Sequence, residues 1–327
     1  MSLSQDNKCR TLSWAVGDAP LDQGPCVAAI GNFDGVHRGH GKVVAAAIAA
    51  ARQAGVAAAA ITFDPHPREF FRHDETTFHL ADRVEKDRLL AALGVDRVIH
   101  VKFDDNLRCT DAAAFVTDVL PALRVNGLFA GSDFAFGRGR GGDIDTINAM
   151  GARIGVSATA VPLLTDANSA VISSSRIRAA LQAGEAEQAA AMLGHDWAVT
   201  GTVQLGDQRG RTIGFPTANI PLGALLHPAF GVYAVQIFDA DPAAGFALLG
   251  NGVANIGIRP TVEDRGVLCE AHLFDQQPDL YGRRLAVCLK SFIRAERKFT
   301  GIDELTTQIA KDARAARKLL PPLRDTA

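Results

Sequence analysis

Apolar and amphipathic segments alternate through the first half of the chain. Residues 26–30 and 56–63 are short, continuously apolar runs, as expected for strands buried on both faces of a parallel sheet. The Ala-rich run 43–54 between them has the character of a helix. This alternation predicts a parallel sheet covered by helices.

The same pattern continues to residue 193. Asp82 opens a predicted helix that carries Val84, Leu89, Leu90 and Leu93 on one side, and Thr110 is the predicted N-cap of another helix. Two prolines predict a rigid loop at 64–71. The remaining predicted helices cover 111–123, 143–154, a segment opening at 172–178, and 184–193, and the remaining predicted strands cover 98–103, a run entering the loop at 131, and 157–163.

The hydrophobic pattern changes after a predicted linker at 194–197. Four β-rich runs follow, with glycine and proline between them, and predict a small antiparallel sheet or barrel. A C-terminal helix at 300–320 is predicted to begin with a capping box of Thr300 and Asp303 and to pack on that barrel. We therefore predict two domains, residues 1–193 and 194–327. The β-rich runs are 198–205, 231–238, 268–274 and 285–292.

Composition narrows the function classes. A net charge of -2 argues against a large nonspecific nucleic-acid surface. No apolar run is long enough to cross a membrane, and the N-terminus lacks the apolar core of a secretion signal. Five widely spaced cysteines without a Cys-x-x-Cys pair predict reduced thiols. We expect a cytoplasmic protein with no nucleic-acid or membrane partner; the sequence does not reveal protein partners.

The stretch 31–40, GNFDGVHRGH, carries the strongest chemical signal. It joins the first predicted strand to the first predicted helix, and its glycines allow the backbone to turn sharply and approach a ligand. The helix N-terminus presents free N–H groups to an anion, and His37 and His40, three residues apart, can point the same way. This combination predicts a phosphate-binding corner.

Three other segments of the first half carry candidate ligand groups. His66 lies in a loop at the carboxyl end of a strand, where ligands bind in open α/β sheets. The loop 131–143 combines phenylalanines, which suit a planar heterocycle, with arginines, which suit phosphate. The segment 172–178 combines three serines with two arginines at the start of a helix, which suggests a polyphosphate site.

The second half contains a separate polar cluster at 206–219. If 216–220 is extended, Thr217 and Asn219 project to one side and could ligate Mg²⁺ beside ATP oxygens. Phosphorylating an alcohol also needs a base, and Glu270 is a carboxylate in an otherwise mainly apolar strand. Glu270 and His272, on the same face, could equally be solvent-exposed side chains.

The His-x-Gly-His pattern resembles the signature of the nucleotidyltransferase superfamily, and 31–40 as a whole resembles the bacterial FAD synthetase family. The Pro-His-Pro segment, the Gly-x-Asp-Phe-x-Phe-Gly segment and Ile-Ser-Ser-Ser at 172–175 extend this resemblance. Ala135 departs from the family, in which a basic residue is common. The resemblance implies catalytic His37 and His40. It implies ATP contacts by Gly31, Asn32, Phe33, Asp34, Gly35, Ser173, Ser174 and Arg178, and flavin contacts by Asp64, His66, Asp133, Phe134 and Phe136.

The second half resembles the riboflavin kinase family through Gly-Phe-Pro-Thr-Ala-Asn (214–219), Gly-Val-Tyr (231–233), Asn-Ile-Gly-x-Arg-Pro-Thr (255–261) and Arg294-x-Glu-x-Lys-Phe. The resemblance implies Mg²⁺ bound by Thr217 and Asn219 and Glu270 as the base. It also implies ATP or flavin contacts by Gly210, Gly214, Phe215, Pro216 and Arg294.

Together the two resemblances imply an α/β parallel-sheet nucleotidyltransferase domain of Rossmann-like type, followed by a small antiparallel β-barrel domain with a C-terminal helix. The implied activity is phosphorylation of riboflavin by ATP to FMN, then adenylylation of FMN to FAD with release of pyrophosphate, with Mg²⁺ as cofactor. Two alternatives stay open: a nucleotidyltransferase for another phosphorylated acceptor with a non-catalytic barrel, and a flavin or nucleotide sensor.

Overall fold

The computed structural model describes residues 9–72, 77–205, 214–241, 245–258 and 266–322. The chain forms two compact units. The first consists of Met1–Thr76 and Glu85–Ile172, and the second of Thr77–Val84 and Ser173–Ala327. Residues 173–193 therefore pack with the second unit, while the division of the two domains at 193/194 stays a prediction.

The first unit is built on a six-stranded parallel sheet with the order β1-β4-β3-β2-β5-β6. The predicted parallel α/β architecture is confirmed. Its strands are β1 (Arg10–Trp14), β2 (Cys26–Ile30), β3 (Ala57–Asp64), β4 (Arg97–Lys102), β5 (Val125–Gly131) and β6 (Ser157–Val161). The helices up to residue 151 are α1 (Arg38–Ala54), α2 (Pro67–Phe71), α3 (Arg83–Ala92), α4 (Asp105–Cys109), α5 (Ala112–Ala114), α6 (Leu120–Ala122) and α7 (Ile144–Gly151).

The strand order places the candidate segments at the carboxyl ends of two neighbouring strands in the middle of this sheet. The chain passes from β2 to β3 on one side, whereas β5 pairs with β2 on the other side. The order therefore reverses between β2 and β5, and ligands of open α/β sheets bind at the carboxyl ends of strands at such a point. The stretch 31–40 follows β2 directly, and the loop 131–143 follows β5.

The second unit contains a six-stranded antiparallel sheet with the order β7-β12-β9-β10-β11-β8. A bridge between Gln204, just after β7, and Asn219 in β8 joins the two ends of that order, which confirms the predicted barrel. The elements are α8 (Ser174–Gln182), α9 (Ala186–Leu193), β7 (Ala198–Thr202), β8 (Ala218–Pro221), β9 (Gly231–Asp239), β10 (Ala247–Ile258), β11 (Val267–Leu273), β12 (Arg284–Ala295) and α10 (Ile302–Leu319). The C-terminal helix α10 buries Ala316 against Val232 and Ala234 of the barrel.

Residues 77–84, here called the strap, belong to the second unit although the chain around them builds the first. Trp197, which the sequence assigned to a linker, is only 2% exposed and donates from Nε1 to the carbonyl oxygen of Leu80 over 2.7 Å. Asp82 accepts a hydrogen bond from Thr200 Oγ1 over 2.7 Å and pairs with Arg284. The strap is thus bound to the second unit by hydrogen bonds and an ion pair.

Two predicted helix starts were wrong. Asp111, not Thr110, is the N-cap of α5, because its carboxylate accepts from the backbone N–H of Ala114 over 2.9 Å. The capping box of Thr300 and Asp303 does not form. Instead the N–H and the hydroxyl of Thr300 both donate to Glu304, over 3.0 and 2.9 Å. The carboxylate of Glu304, in the first turn of the C-terminal helix, thus holds the residue that precedes the helix.

The predicted single helix 111–123 is interrupted. A π-helical turn, Phe115–Val119, separates α5 from α6. Pro121 follows this turn and has no N–H to donate to the carbonyl group four residues earlier. The wider turn accommodates the missing hydrogen bond.

Candidate functional sites

The corner between β2 and α1 is formed by a histidine that caps the helix. The side chain of His37 is the N-cap of α1 and accepts from the backbone N–H of His40 over 3.2 Å. The helix therefore begins at Arg38, five residues before the predicted start at 43, and His40 lies in its first turn. Because Nδ1 of His37 accepts, the proton of the neutral ring is on Nε2.

The two imidazole rings form one unit. Their centroids are 3.6 Å apart and their planes lie within 15° of parallel, while Phe33 contacts His40 edge-on at 5.3 Å. Burial first, and then electrostatic interaction with the adjacent His37 and with Lys86, lower the pKa of the His40 imidazole well below its ordinary 6.5. His40 is thus neutral at neutral pH, and its Nδ1 is buried with no hydrogen-bond partner among the described residues.

Gly39 allows this stack to form. A Cβ at Gly39 would lie 3.0 Å from Cε1 and 3.1 Å from Nδ1 of the His37 ring. We expect Gly39→Ala to displace His37 and to lower the rate of the adenylyl transfer implied by the family resemblance about 10-fold or more, since small misplacements of catalytic groups have large effects. Steady-state rates of both activities in the same sample would test this; an equal loss of both, or of neither, would contradict it. Gly41→Ala is the matched control, because no atom lies within 4 Å of a Cβ there.

The turn before the histidines has an unusual backbone. Phe33 and Val36 have positive φ angles of 48° and 42°, which non-glycine residues rarely adopt. Both side chains are buried in the hydrophobic core beside α1. The predicted ATP contact of Phe33 therefore falls on a side chain that packs in the core and supports His40.

Lys86, on α3, is a cation of this site that the sequence analysis missed. Its Nζ donates to Thr62 Oγ1 over 3.3 Å, and that hydroxyl donates to the carbonyl oxygen of Asn32 over 3.1 Å. The predicted apolar side of this helix was partly wrong, since Val84 and Leu93 are exposed at 42% and 41%. The helix covers the polar ends of strands as well as the apolar core, so its pattern is weakly amphipathic.

The segment after β3 is helical where a loop was predicted. His66 caps α2, because its Nδ1 accepts from the N–H of Arg68 over 3.0 Å. Pro67 occupies the first helical position, where the missing N–H costs nothing. Phe70 and Phe71 of α2 contact Phe103 edge-on at 5.3 and 5.7 Å. His66 thus lies beside an aromatic cluster.

The two predicted flavin-binding phenylalanines of the loop after β5 differ in how deeply they are buried. Phe136 is buried against Phe115 in the core at a ring distance of 4.8 Å. Phe134 is only partly buried and stacks on Phe136 at 5.6 Å. Asp133 is exposed. Of the three predicted flavin contacts in this loop, Phe134 and Asp133 are therefore accessible at the surface, and Phe136 lies behind them.

The serine-rich segment forms the start of α8 in the second unit. Ser173 is its N-cap and accepts from the N–H of Arg176 over 3.4 Å. Arg178 donates from Nε to the carbonyl oxygen of Phe78 over 2.8 Å, and its guanidinium lies over the Phe78 ring. Arg178 therefore has a packing role in the strap region, and Ser174 begins the helix itself.

In the barrel, three candidate polar residues form one row. Glu270 of β11 lies directly opposite Asn219 of β8 and also opposite Asn255 of β10. Directly paired residues of neighbouring strands project from the same face of a sheet. The structure thus places Glu270 between two carboxamides. Thr217 lies two residues before Asn219, just outside β8.

Asn219 has the features of a cation ligand. It is 5% exposed, and its Oδ1 has no hydrogen-bond partner among the described residues, while its Nδ2 donates to the carbonyl oxygen of Thr217 over 3.4 Å. A buried, unsatisfied oxygen fits Mg²⁺, which binds oxygen ligands and keeps several waters and substrate phosphates. Within the described ranges no group of three or more His, Cys, Asp or Glu residues could hold a metal. The fit therefore depends on Asn219 and Thr217.

Arg294, predicted to bind ATP or flavin, pairs with a buried carboxylate of the C-terminal helix. Its Nε and Nη2 contact both carboxylate oxygens of Asp312 in α10, over 2.7 to 3.1 Å, and its Nη1 donates to the carbonyl oxygen of Ala295. Asp312 is 4% exposed and also accepts from Gln308. These contacts give Arg294 a structural role that joins β12 to α10.

We expect Asp312→Ala to destabilise the second unit by about 3 kcal/mol, because it leaves a partly buried guanidinium without its counter-ion. Urea unfolding followed by circular dichroism would measure the shift. The control is Asp275→Asn, which breaks the exposed ion pair with Arg317 but keeps a residue that tolerates the positive φ of 61° at this position, and it should cost less than about 1 kcal/mol. Equal shifts in the two variants would refute the structural role.

Two further observations concern the segment before β8 and the helices of the described chain. The predicted contact of Gly210 lies outside the described residues, while Gly214, Phe215 and Pro216 precede β8 within them. In the described part of the chain, no helix is both long and apolar enough to cross a bilayer.

Comparison with known proteins gives matches along both halves of the chain. The FAD synthetase family model matches residues 19–176, and the riboflavin kinase family model matches residues 193–320. A bifunctional riboflavin kinase/FMN adenylyltransferase of Escherichia coli (strain K12) is 41% identical over 306 residues, which are 91% of this chain and 95% of that protein. The protein of the same description from Bacillus subtilis (strain 168) is 37% identical over 309 residues, which are 93% and 95% of the two chains.

Among solved structures, one described as a macrolide-efflux protein from Streptococcus pneumoniae matches with a TM-score of 0.77 and 27% identity. The match covers 94% of this chain and 98% of that one. Both halves of the chain thus have relatives that contain them in the same order.

Proposed function

The chain belongs to the family of bifunctional riboflavin kinase/FMN adenylyltransferases, and on this premise we propose which of its residues serve each activity. The chain is an enzyme with both catalytic domains, and riboflavin, FMN, FAD and ATP are its substrates and products. The match of residues 193–320 to the riboflavin kinase family model favours a catalytic barrel over a non-catalytic one. The assignments below concern residues, Mg²⁺ and location.

In the adenylyl transfer, His37 and His40 act on the ATP phosphates. The nucleophile is a phosphate of FMN that is already ionised, so the reaction needs charge stabilisation rather than a base. Stacked imidazoles at the N-terminus of α1 are well suited to this role, because the helix end also favours anions. The pKa of His40 is low before the nucleotide binds, and approach of the polyphosphate raises it and favours the cation.

Around the histidines we propose that the backbone of Gly31, Asn32, Asp34 and Gly35 approaches ATP. Ser173, Ser174 and Arg178 are the further predicted ATP contacts. The flavin is proposed to lie on Phe134, near Asp133, Asp64 and His66, at the carboxyl ends of β3 and β5. Phe33 and Phe136 support these groups from the core.

In the kinase reaction, Glu270 is the proposed general base for the terminal ribityl hydroxyl of riboflavin. The observation that carries this assignment is the pairing of Glu270 with Asn219 across β8 and β11. Asn219 and Thr217 would hold Mg²⁺, which when bound neutralises charge on the transferred phosphoryl group. Gly214, Phe215 and Pro216 form the segment that leads into these residues. Glu270 accepts the hydroxyl proton as the hydroxyl oxygen forms a bond to the γ-phosphorus of ATP, and ADP leaves.

The test is product analysis of the full-length protein. Riboflavin, ATP and MgCl₂ are incubated with it, and FMN and FAD are separated by chromatography over time. FMN should appear first and FAD later, and EDTA should stop both. FMN formation at an unchanged rate in EDTA would remove the Mg²⁺ assignment. We also propose a cytoplasmic location, where ATP is available to both domains.

A further inference from the structure

His272 lies on β11 beside the proposed kinase site but has no role in the function proposed so far. It is two residues from Glu270, so the two side chains share one face of the strand. Its Nδ1 is 2.8 Å from the carbonyl oxygen of Pro216, and only the carbonyl can accept, so the imidazole donates. Its ring also contacts Phe215 edge-on at 5.4 Å and Phe274 at 6.0 Å.

These contacts occur where the backbone ladder stops. The pairing of β8 with β11 has its last rung at Ala218 and Ala271. Residues 215–217 are therefore not held to β11 by ladder hydrogen bonds. The His272 side chain provides the next attachment, one residue beyond the last rung. It binds the backbone directly before Thr217.

We propose that His272 is a positioning residue for the metal and nucleotide site: it fixes the segment 215–217 so that Thr217 and Asn219 present their oxygens together beside Glu270. One strand then carries both the base and the attachment of the metal ligands. This inference rests on the proposed kinase function. It assigns to His272 no contact with substrate and no proton transfer.

The orientation of Asn219 supports this role. Its Nδ2 donates to the carbonyl oxygen of Thr217, so the direction of its Oδ1 depends on where the backbone at 217 lies. That backbone is one residue from the carbonyl group bound by His272. Loss of the imidazole donor would free the segment and let Oδ1 turn away. Removing a group that orients metal ligands typically costs about 10- to 100-fold in metal affinity or activity.

The experiment compares three variants of the full chain. His272→Leu removes the donor but keeps an apolar side chain, whereas His272→Asn keeps an N–H donor near the position of Nδ1. His227→Leu is the control, a histidine of the same unit that contacts Phe230 at 6.3 Å. One readout is paramagnetic broadening of the Asn219 side-chain amide by Mn²⁺ in the presence of ADP, which needs no turnover. The others are the KM for MgATP and kcat of FMN formation, with FMN adenylylation as the folding control.

We expect His272→Leu to weaken Mn²⁺ binding at Asn219 and kcat/KM for MgATP by about 10-fold or more, with adenylylation unchanged. His272→Asn should recover most of the loss. Unchanged Mn²⁺ broadening in His272→Leu, or an Asn variant as impaired as the Leu variant, would overturn the inference. Absence of FMN formation by the unmodified protein would instead overturn the kinase function on which it rests.

Discussion

We expect His40→Ala to lower FAD formation by at least about 10²-fold while FMN formation continues at its normal rate, because a preorganised donor in an adenylyl-transfer site contributes that much. The imidazole is stacked on His37 and lies in the first turn of α1, so its loss removes one donor and the support of the other. FMN should therefore accumulate when the variant is given riboflavin and ATP. Time courses of both flavins by chromatography would measure the ratio.

The control is His195→Ala, a histidine of the second unit, whose Nδ1 lies 3.0 Å from the carbonyl oxygen of Asp196. It should leave both products unchanged. If the His40 variant makes FAD at near-normal rates, His40 does not act in adenylyl transfer. If the variant loses FMN formation as well, the substitution disturbs folding, and the predicted selective role of His40 in adenylyl transfer is contradicted.

The second large effect is expected for Glu270→Gln. A carboxamide cannot accept the hydroxyl proton, so FMN formation should fall by about 10²–10⁴-fold. The side chain keeps its shape between Asn219 and Asn255, so the barrel should remain folded. FMN supplied to the variant should still be converted to FAD, which separates this defect from that of His40→Ala.

Asp275→Asn provides the isosteric control, because it lies just after the same strand and pairs with Arg317 at the surface. It should leave FMN formation unchanged. Riboflavin phosphorylation by Glu270→Gln at the normal rate would show that another group is the base. Mixing the Glu270 and His40 variants should restore FAD formation from riboflavin, since each supplies the activity that the other lacks.

The architecture was largely predictable because apolar runs and the glycines and prolines between them reveal the strands of both domains. Continuously apolar runs such as 26–30 and 56–63 are typical of strands buried in a parallel sheet, and the glycine-rich turn after the first of them indicated a ligand. The predicted start of α1 was late because helix patterns usually begin at apolar residues. Here the cap is the His37 side chain, so two glycines and His40 belong to the helix.

Strand β10 was not predicted, for a reason visible in its packing. It contains Gly252 and Gly257, which weaken a strand pattern. A Cβ at Gly252 would lie 2.4 Å from the His272 carbonyl oxygen, and one at Gly257 would lie 1.9 Å from Glu296 Oε1. These glycines therefore allow neighbouring groups to approach the strand closely. Asn255 was part of the motif at 255–261, but its position opposite Glu270 depends on the strand register, which only the fold reveals.

Some residues predicted to contact a ligand also have side chains that pack within the protein. Phe33, Phe136 and Arg294 belong to motif strings, and a motif does not distinguish the side chain that touches a ligand from the one that holds it in place. Lys86 was missed for a different reason, since a lysine in a surface helix gives no sign that it reaches the end of a strand. Both cases depend on tertiary contacts between residues that are far apart in the sequence.

The strap has a consequence for how the polypeptide is made. Residues 77–84 leave the ribosome well before their partners Trp197, Thr200 and Arg284, which bind Leu80 and Asp82. The second unit therefore cannot reach its final packing until most of the protein has been translated. Until then, residues 77–84 lack the hydrogen bonds and the ion pair that hold them in the folded protein. A fragment beginning at residue 194 would never receive them, so splitting the gene at that point would produce a barrel without part of its own surface.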